Sequence, residues 1–247
     1  MYGFLAALQI LTRLPSPLRR DAILADVASS IGWFPAVGAA LGLALVAIDT
    51  AARLVFDPTV VSALLVAFLV IVTGAFHLDG LIDSIDGLTA GPDSDGRLAA
   101  MRLAVVGVPG ALAACIILLA DYTALAALGD HVRPIALFLA PICGRTAILA
   151  AYRLYPYGRT ESTLSAHLKE SATTASTLVG CAFAAAACFA VAGTGGLALL
   201  VLSLGLMHGI ASLSLSRLPG LTGDVYGAIC EVSQLAVLLA APFVLRP

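Results

Sequence analysis

The sequence predicts an all-α, polytopic transmembrane helical bundle forming one integral membrane domain over residues 1–247, and three observations carry that reading. Of 247 residues, 60% are hydrophobic and only 11% charged, against roughly 25% charged in soluble domains. The apolar residues come in runs of about 18 or more, long enough to cross a bilayer. Glycine and proline are scattered through those runs, as they are in membrane helices. The net charge of −2 supplies no basic footprint for nucleic acid. The bilayer is therefore the expected surroundings.

Taken in chain order, residues 2–12 are too short to span and stop at Thr12-Arg13-Leu14-Pro15-Ser16-Pro17, so they read as an interfacial or re-entrant helix. Residues 1–10 have neither a basic flank nor a small-residue cleavage site, and do not read as a signal peptide. About seven spans follow, near 31–54, 59–76, 105–128, 134–151, 173–192, 196–215 and 225–245. No fixed-period repeat and no second domain is visible. The five cysteines (115, 143, 181, 188 and 230) all lie in apolar stretches and form no CxxC pair, so they read as small buried side chains.

Basic residues orient the bundle. With the N-terminus inside, Arg13, Arg19, Arg20, Arg97, Arg102, Arg153, Arg159, Lys169 and Arg217 fall in inner segments, against Arg53, Arg133 and Arg246 outside. Nine against three is a positive-inside bias. It places 77–104, 152–172 and 216–224 together on the cytoplasmic side.

The chemistry concentrates in Phe76-His77-Leu78-Asp79-Gly80-Leu81-Ile82-Asp83-Ser84-Ile85-Asp86-Gly87, at the end of an apolar run. On a helix Asp79, Asp83 and Asp86 stand at i, i+4 and i+7 and share a face. Anions this close repel unless a cation sits among them, and a hard oxygen set suits Mg²⁺. The alternative is a solvated acidic helix end. His77 fits a general base, a substrate contact or a plain interfacial residue. In the second cluster, Thr222-Gly223-Asp224 reads as a helix start, and Glu231 falls seven residues later on the same face. A carboxylate about two turns into the apolar region is costly unless paired or metal-bound. Arg145, within a span, also needs a partner. Arg145 and Arg159 are candidates to grip phosphate, whereas Arg153 reads equally as an interfacial anchor. Metal ligands with arginines at a membrane surface point to phosphoryl or nucleotidyl-alcohol transfer.

The stretch from His77 to Gly87 resembles the signature of the adenosylcobinamide-GDP ribazoletransferase (cobalamin synthase) family. Leu8-Gln9-Ile10-Leu11-Thr12-Arg13-Leu14-Pro15, Phe34-Pro35-Ala36-Val37-Gly38, Gly144-Arg145-Thr146, Pro156-Tyr157-Gly158-Arg159 and Thr222-Gly223-Asp224 with Gly227 and Glu231 are similar to its other motifs. The resemblance implies a multi-pass enzyme of the bacterial cytoplasmic (inner) membrane, with its active site facing the cytoplasm. It would need Mg²⁺ and join adenosylcobinamide-GDP to α-ribazole or its 5′-phosphate, releasing GMP; a homo-oligomer is left open. It assigns Asp79, Asp83, Asp86 and His77 to catalysis. Asp79, Asp83, Asp86, Asp224 and Glu231 are assigned to metal, and Arg13, Arg145, Arg159, Thr222 and Gly223 to substrate. One departure stands out: Leu103-Ala104-Val105 replaces the polar Asp-Ser-Arg triplet usual after Arg102, removing one carboxylate. Two rivals are a CDP-alcohol phosphotransferase, whose Ala-Arg and downstream aspartates are missing here, and an ion-coupled transporter, whose inverted repeats are not visible.

Overall fold

The computed structural model describes residues 2–15, 29–103, 105–159, 161 and 163–245. Arg19, Arg20, Ala104 and Arg246 lie outside the described residues. Among the described residues ten helices follow one another: α1 (Tyr2–Leu11), α2 (Phe34–Ala52, entered through a tight turn at Ile31–Trp33), α3 (Pro58–Thr73), α4 (Phe76–Thr89), α5 (Ser94–Ala100), α6 (Val108–Ala127), α7 (Arg133–Leu154), α8 (Leu164–Ser171), α9 (Thr174–Leu215) and α10 (Gly223–Val244). No strand occurs among the described residues. Among the described residues five helices are long and apolar enough to cross a membrane, six if α3 and α4 count as one bent span. The expectation was about seven, and the count takes the 42 residues of α9 as one helix.

The central element is α7, buried along nearly its whole length. Gly38 and Gly42 of α2 let that helix press onto it: side chains there would meet the carbonyl oxygens of Pro141 and Phe138 at 2.5 Å. Small residues four apart are a standard way for membrane helices to approach closely. The N-terminal helix is less peripheral than expected. Ala6, Ala7 and Leu11 of α1 are buried, the last two in a cluster with Phe34, Val37 and Leu41.

The 42 residues of α9 would reach about 63 Å if continuous, twice a bilayer core. They double back instead. Ala192 and Gly193 leave helical geometry, Gly193 at φ +55°, where glycine is favoured. Cys143 touches both Cys188 and Ser203, which one straight helix would hold about 22 Å apart. The break divides α9 where the sequence predicted two spans to part.

A correction concerns α3 and α4. The aspartates were expected at the end of one span, yet Gly74 (φ +63°) and Ala75 (φ +58°) interrupt it and α4 turns away by 86°. Arg13 supports the bend: its N–H donates to the Val72 carbonyl at 2.7 Å, and its side chain occupies the space a Cβ on Gly74 would need. A second correction concerns Arg133, predicted as an outer-loop charge. It is 1% exposed, paired with Asp49 at 2.8 Å and bonded to Ser62 and the Leu125 carbonyl. This buried pair ties α2, α3, α6 and α7 at the end opposite the site described next.

Candidate active site

Asp224 occupies the first turn of α10. Thr222 caps that helix, its hydroxyl accepting the Val225 N–H at 3.4 Å and lying 3.2 Å from Asp224 Oδ2. A carboxylate here also suits the positive end of the helix dipole. Arg159 completes the pair, donating Nη2–H to Asp224 Oδ2 at 2.7 Å. Its position is set by two loops clasped together. Gly158 N–H donates to the Leu221 carbonyl and Leu221 N–H to that of Pro156, both at 2.8 Å. The contact is close enough that a Cβ on Gly158 would lie 2.4 Å from the Gly220 oxygen. The Nε–H of Arg159 is buried without a partner, a donor left over once Asp224 is bound.

The aspartates of α4 reach this pair through a glycine crossing. A Cβ on Gly80 would meet the Asp224 carbonyl at 2.8 Å, and one on Gly227 the His77 carbonyl at 2.8 Å. The two backbones are therefore nearly in contact. On α4 the inward face is His77, Gly80, Leu81, Ser84 and Gly87, which leaves Asp79 and Asp83 facing outward beside α10. Asp83 interacts electrostatically with Asp79, Asp224, Asp86 and Arg159. Among the described residues, the side chains of Asp79 and Asp83 make no hydrogen bond or ion pair. The structure thus brings together Asp79, Asp83, Asp224 and Arg159, from two helices and one loop.

Other predicted site residues go elsewhere. Both oxygens of Asp86 are engaged, accepting the N–H of Gly107 at 2.6 Å and of Gly110 at 2.8 Å. It also caps the N-terminus of α6, a role that its spacing on α4 did not indicate. Glu231 lines a cavity inside the bundle shared with Arg145, two helical turns along the same face of α10 from Asp224. Arg145 is 1% exposed and bonds Gln234, not a substrate surface. His77 is 2% exposed, turned into a small pocket with Tyr152 and Tyr226, and so is off the aspartate face. Arg13 lies at the α3–α4 bend, and Gly223 abuts Ser165. Sequence reading missed Asp121, which lines the same cavity as Glu231 and Arg145. Its signal was the one used for Glu231, a carboxylate inside an apolar run.

Among the described residues no three histidine, cysteine or carboxylate side chains stand close enough to hold an ion as placed. The donor set of Asp79, Asp83 and Asp224 is nevertheless all hard oxygen, with two of its carboxylates unengaged by protein.

A family model described as Cobalamin-5-phosphate synthase matches residues 3–242. The chain belongs to that family. Within the cobalamin-5-phosphate synthase family, it is 33% identical to an adenosylcobinamide-GDP ribazoletransferase of Brevibacillus brevis, over 97% of each chain. It is 34% identical to one of Desulfitobacterium hafniense, covering 98% of this chain and 96% of that one. The figure is 35% for one of Stutzerimonas stutzeri, over 97% of each. No solved structure matches. Leu103 and Val105, where the resemblance implied a polar triplet, are exposed just beyond α5.

Proposed function

We propose that this chain joins adenosylcobinamide-GDP to α-ribazole or its 5′-phosphate, giving adenosylcobalamin or its phosphate and GMP. The observation that carries this is the meeting of Asp79, Asp83, Asp224 and Arg159 at the Gly80–Gly227 crossing, in a chain matched to the cobalamin-5-phosphate synthase family almost end to end. Asp79, Asp83 and Asp224 would hold Mg²⁺, which when bound offsets negative charge on a diphosphate and on the departing phosphate. Arg159 engages Asp224 through Nη2, and its guanidinium carries five N–H donors, so it would be able to donate to a phosphate oxygen without leaving Asp224. The acceptor hydroxyl attacks the cobinamide-bound phosphorus, and the bond to GMP breaks. The hydroxyl proton passes to one of the three carboxylates, a general-base step.

The charge bias of the loops supports a cytoplasmic face for the site, in the inner membrane of a bacterium. If the carboxylate that the resemblance places at 103–105 binds metal in relatives, Asp79, Asp83 and Asp224 would hold Mg²⁺ here with water or substrate oxygen in its stead. The direct test is GMP release from adenosylcobinamide-GDP and α-ribazole by membranes containing the chain. Release that needs Mg²⁺ and stops in Asp83→Asn supports the reading; no release by the unaltered protein overturns it.

A further inference from the structure

Asp121, Arg145 and Glu231 belong to three helices, α6, α7 and α10, yet line one cavity of ≈ 40 Å³. Counted along their helices at 1.5 Å per residue, they lie about 20, 14 and 12 Å in from the end that carries the aspartate site. All three therefore sit at hydrocarbon depth in a core about 30 Å thick. Most of the wall is apolar, with Leu65, Leu69, Leu118, Leu137 and Leu238 prominent.

The charges face one another without touching. Arg145 donates Nη1–H to Gln234 Oε1, but its Nε is buried with no partner, as is Oδ1 of Asp121. Among the described residues no ion pair joins Arg145 to Asp121 or Glu231, although Glu231 interacts electrostatically with both. A guanidinium and two carboxylates sum to one negative charge. The other polar groups around them do not cancel it. Thr73 of α3 is neutral and bonds its own helix, and Cys230 of α10 adds no positive charge. His77 of α4, which interacts with Arg145, lines a different pocket. An uncompensated charge at this depth is expensive. The space can hold a partner: one water needs roughly 10–15 Å³.

We propose that this cavity is an intramembrane site for one monovalent cation, held between Asp121 and Glu231 and bordered by the Arg145–Gln234 pair. The cation is an alkali ion, or a proton taken up by one of the two carboxylates; either supplies the missing charge. The site shares no side chain with the aspartate–Arg159 site, so it stands or falls independently of the proposed transfer reaction.

The test uses the full-length protein in nanodiscs with EDTA present. For an alkali ion, radioactive sodium binds saturably at one ion per chain, and Asp121→Asn and Glu231→Gln each weaken binding at least about tenfold, while Asp83→Asn does not. For a proton, sodium does not bind, and infrared difference spectra between acid and neutral buffer show one protonated carboxyl per chain that both variants remove. If those variants do not fold, carbodiimide labelling of the unaltered protein, mapped by mass spectrometry, locates the site. Modification at Asp121 or Glu231 that slows with sodium or with rising pH supports it. Absence of sodium binding and of a protonated carboxyl, or either signal mapping away from both residues, overturns the proposal and leaves a cavity that holds water alone.

Discussion

Arg159 and Asp224 meet at 2.7 Å although 65 residues separate them, because the loop after α7 and the loop before α10 are clasped through Gly158 and Leu221. The clasp turns an arginine on a loop and a carboxylate on a helix start into one fixed element. The side chains are only 14% and 20% exposed, so solvent weakens the pair less than it would on an open surface.

Arg159→Ala is expected to lower GMP release mainly by raising KM for adenosylcobinamide-GDP, since phosphate contact is lost. Asp224→Ala should do comparable damage, and the double variant should fall well short of the sum of the two losses. Groups in direct contact couple by about 0.5–3 kcal/mol. Steady-state kinetics on the four proteins measures the coupling; strictly additive losses would separate the two residues functionally.

Asp79→Asn and Asp83→Asn should each reduce turnover by about a hundredfold or more if they hold the metal, with membrane insertion and melting temperature unchanged. Asp86→Ala should behave differently. Removing the acceptor for Gly107 and Gly110 should destabilise the start of α6 by about 1–2 kcal/mol. Thermal unfolding in detergent, read beside activity per folded molecule, distinguishes the two patterns.

Gly80→Ala places a methyl 2.8 Å from the Asp224 carbonyl. Backbone cannot yield as a side-chain tip can, so α4 must move off α10. The overpacking is expected to cost about 1–3 kcal/mol and to separate Asp83 from Asp224. Activity should drop more than stability alone explains, and Asp83→Asn should then add little further loss.

At the far end of the bundle, Asp49→Ala should lower stability by about 3–5 kcal/mol, because it leaves the buried Arg133 charge unpaired. Replacing both residues with apolar side chains of similar volume should recover much of that loss. Activity per folded molecule should stay unchanged in both proteins, measured at a temperature where each remains folded.

Composition and run length by themselves established a helical membrane protein, because bilayer crossing demands nothing subtler than about 20 apolar residues in helical form. Spacing established which face of α4 carries Asp79 and Asp83, since helical period is a local property. The division of residues 173–215 into two spans was also expected, since the run is about twice what one crossing needs. What lay beyond the sequence was which distant groups meet. Asp86 looked equivalent to Asp79 and Asp83 until the approach of α6 brought two backbone N–H groups to it. Glu231 shares a helix face with Asp224, yet two turns of rise carry it from the surface pair to Asp121 and Arg145. The bend at Gly74–Ala75 rests on Arg13 lying across it, a contact between segments 61 positions apart. Local periodicity decides what a residue's helix is and which way it faces; only packing between helices decides what stands opposite.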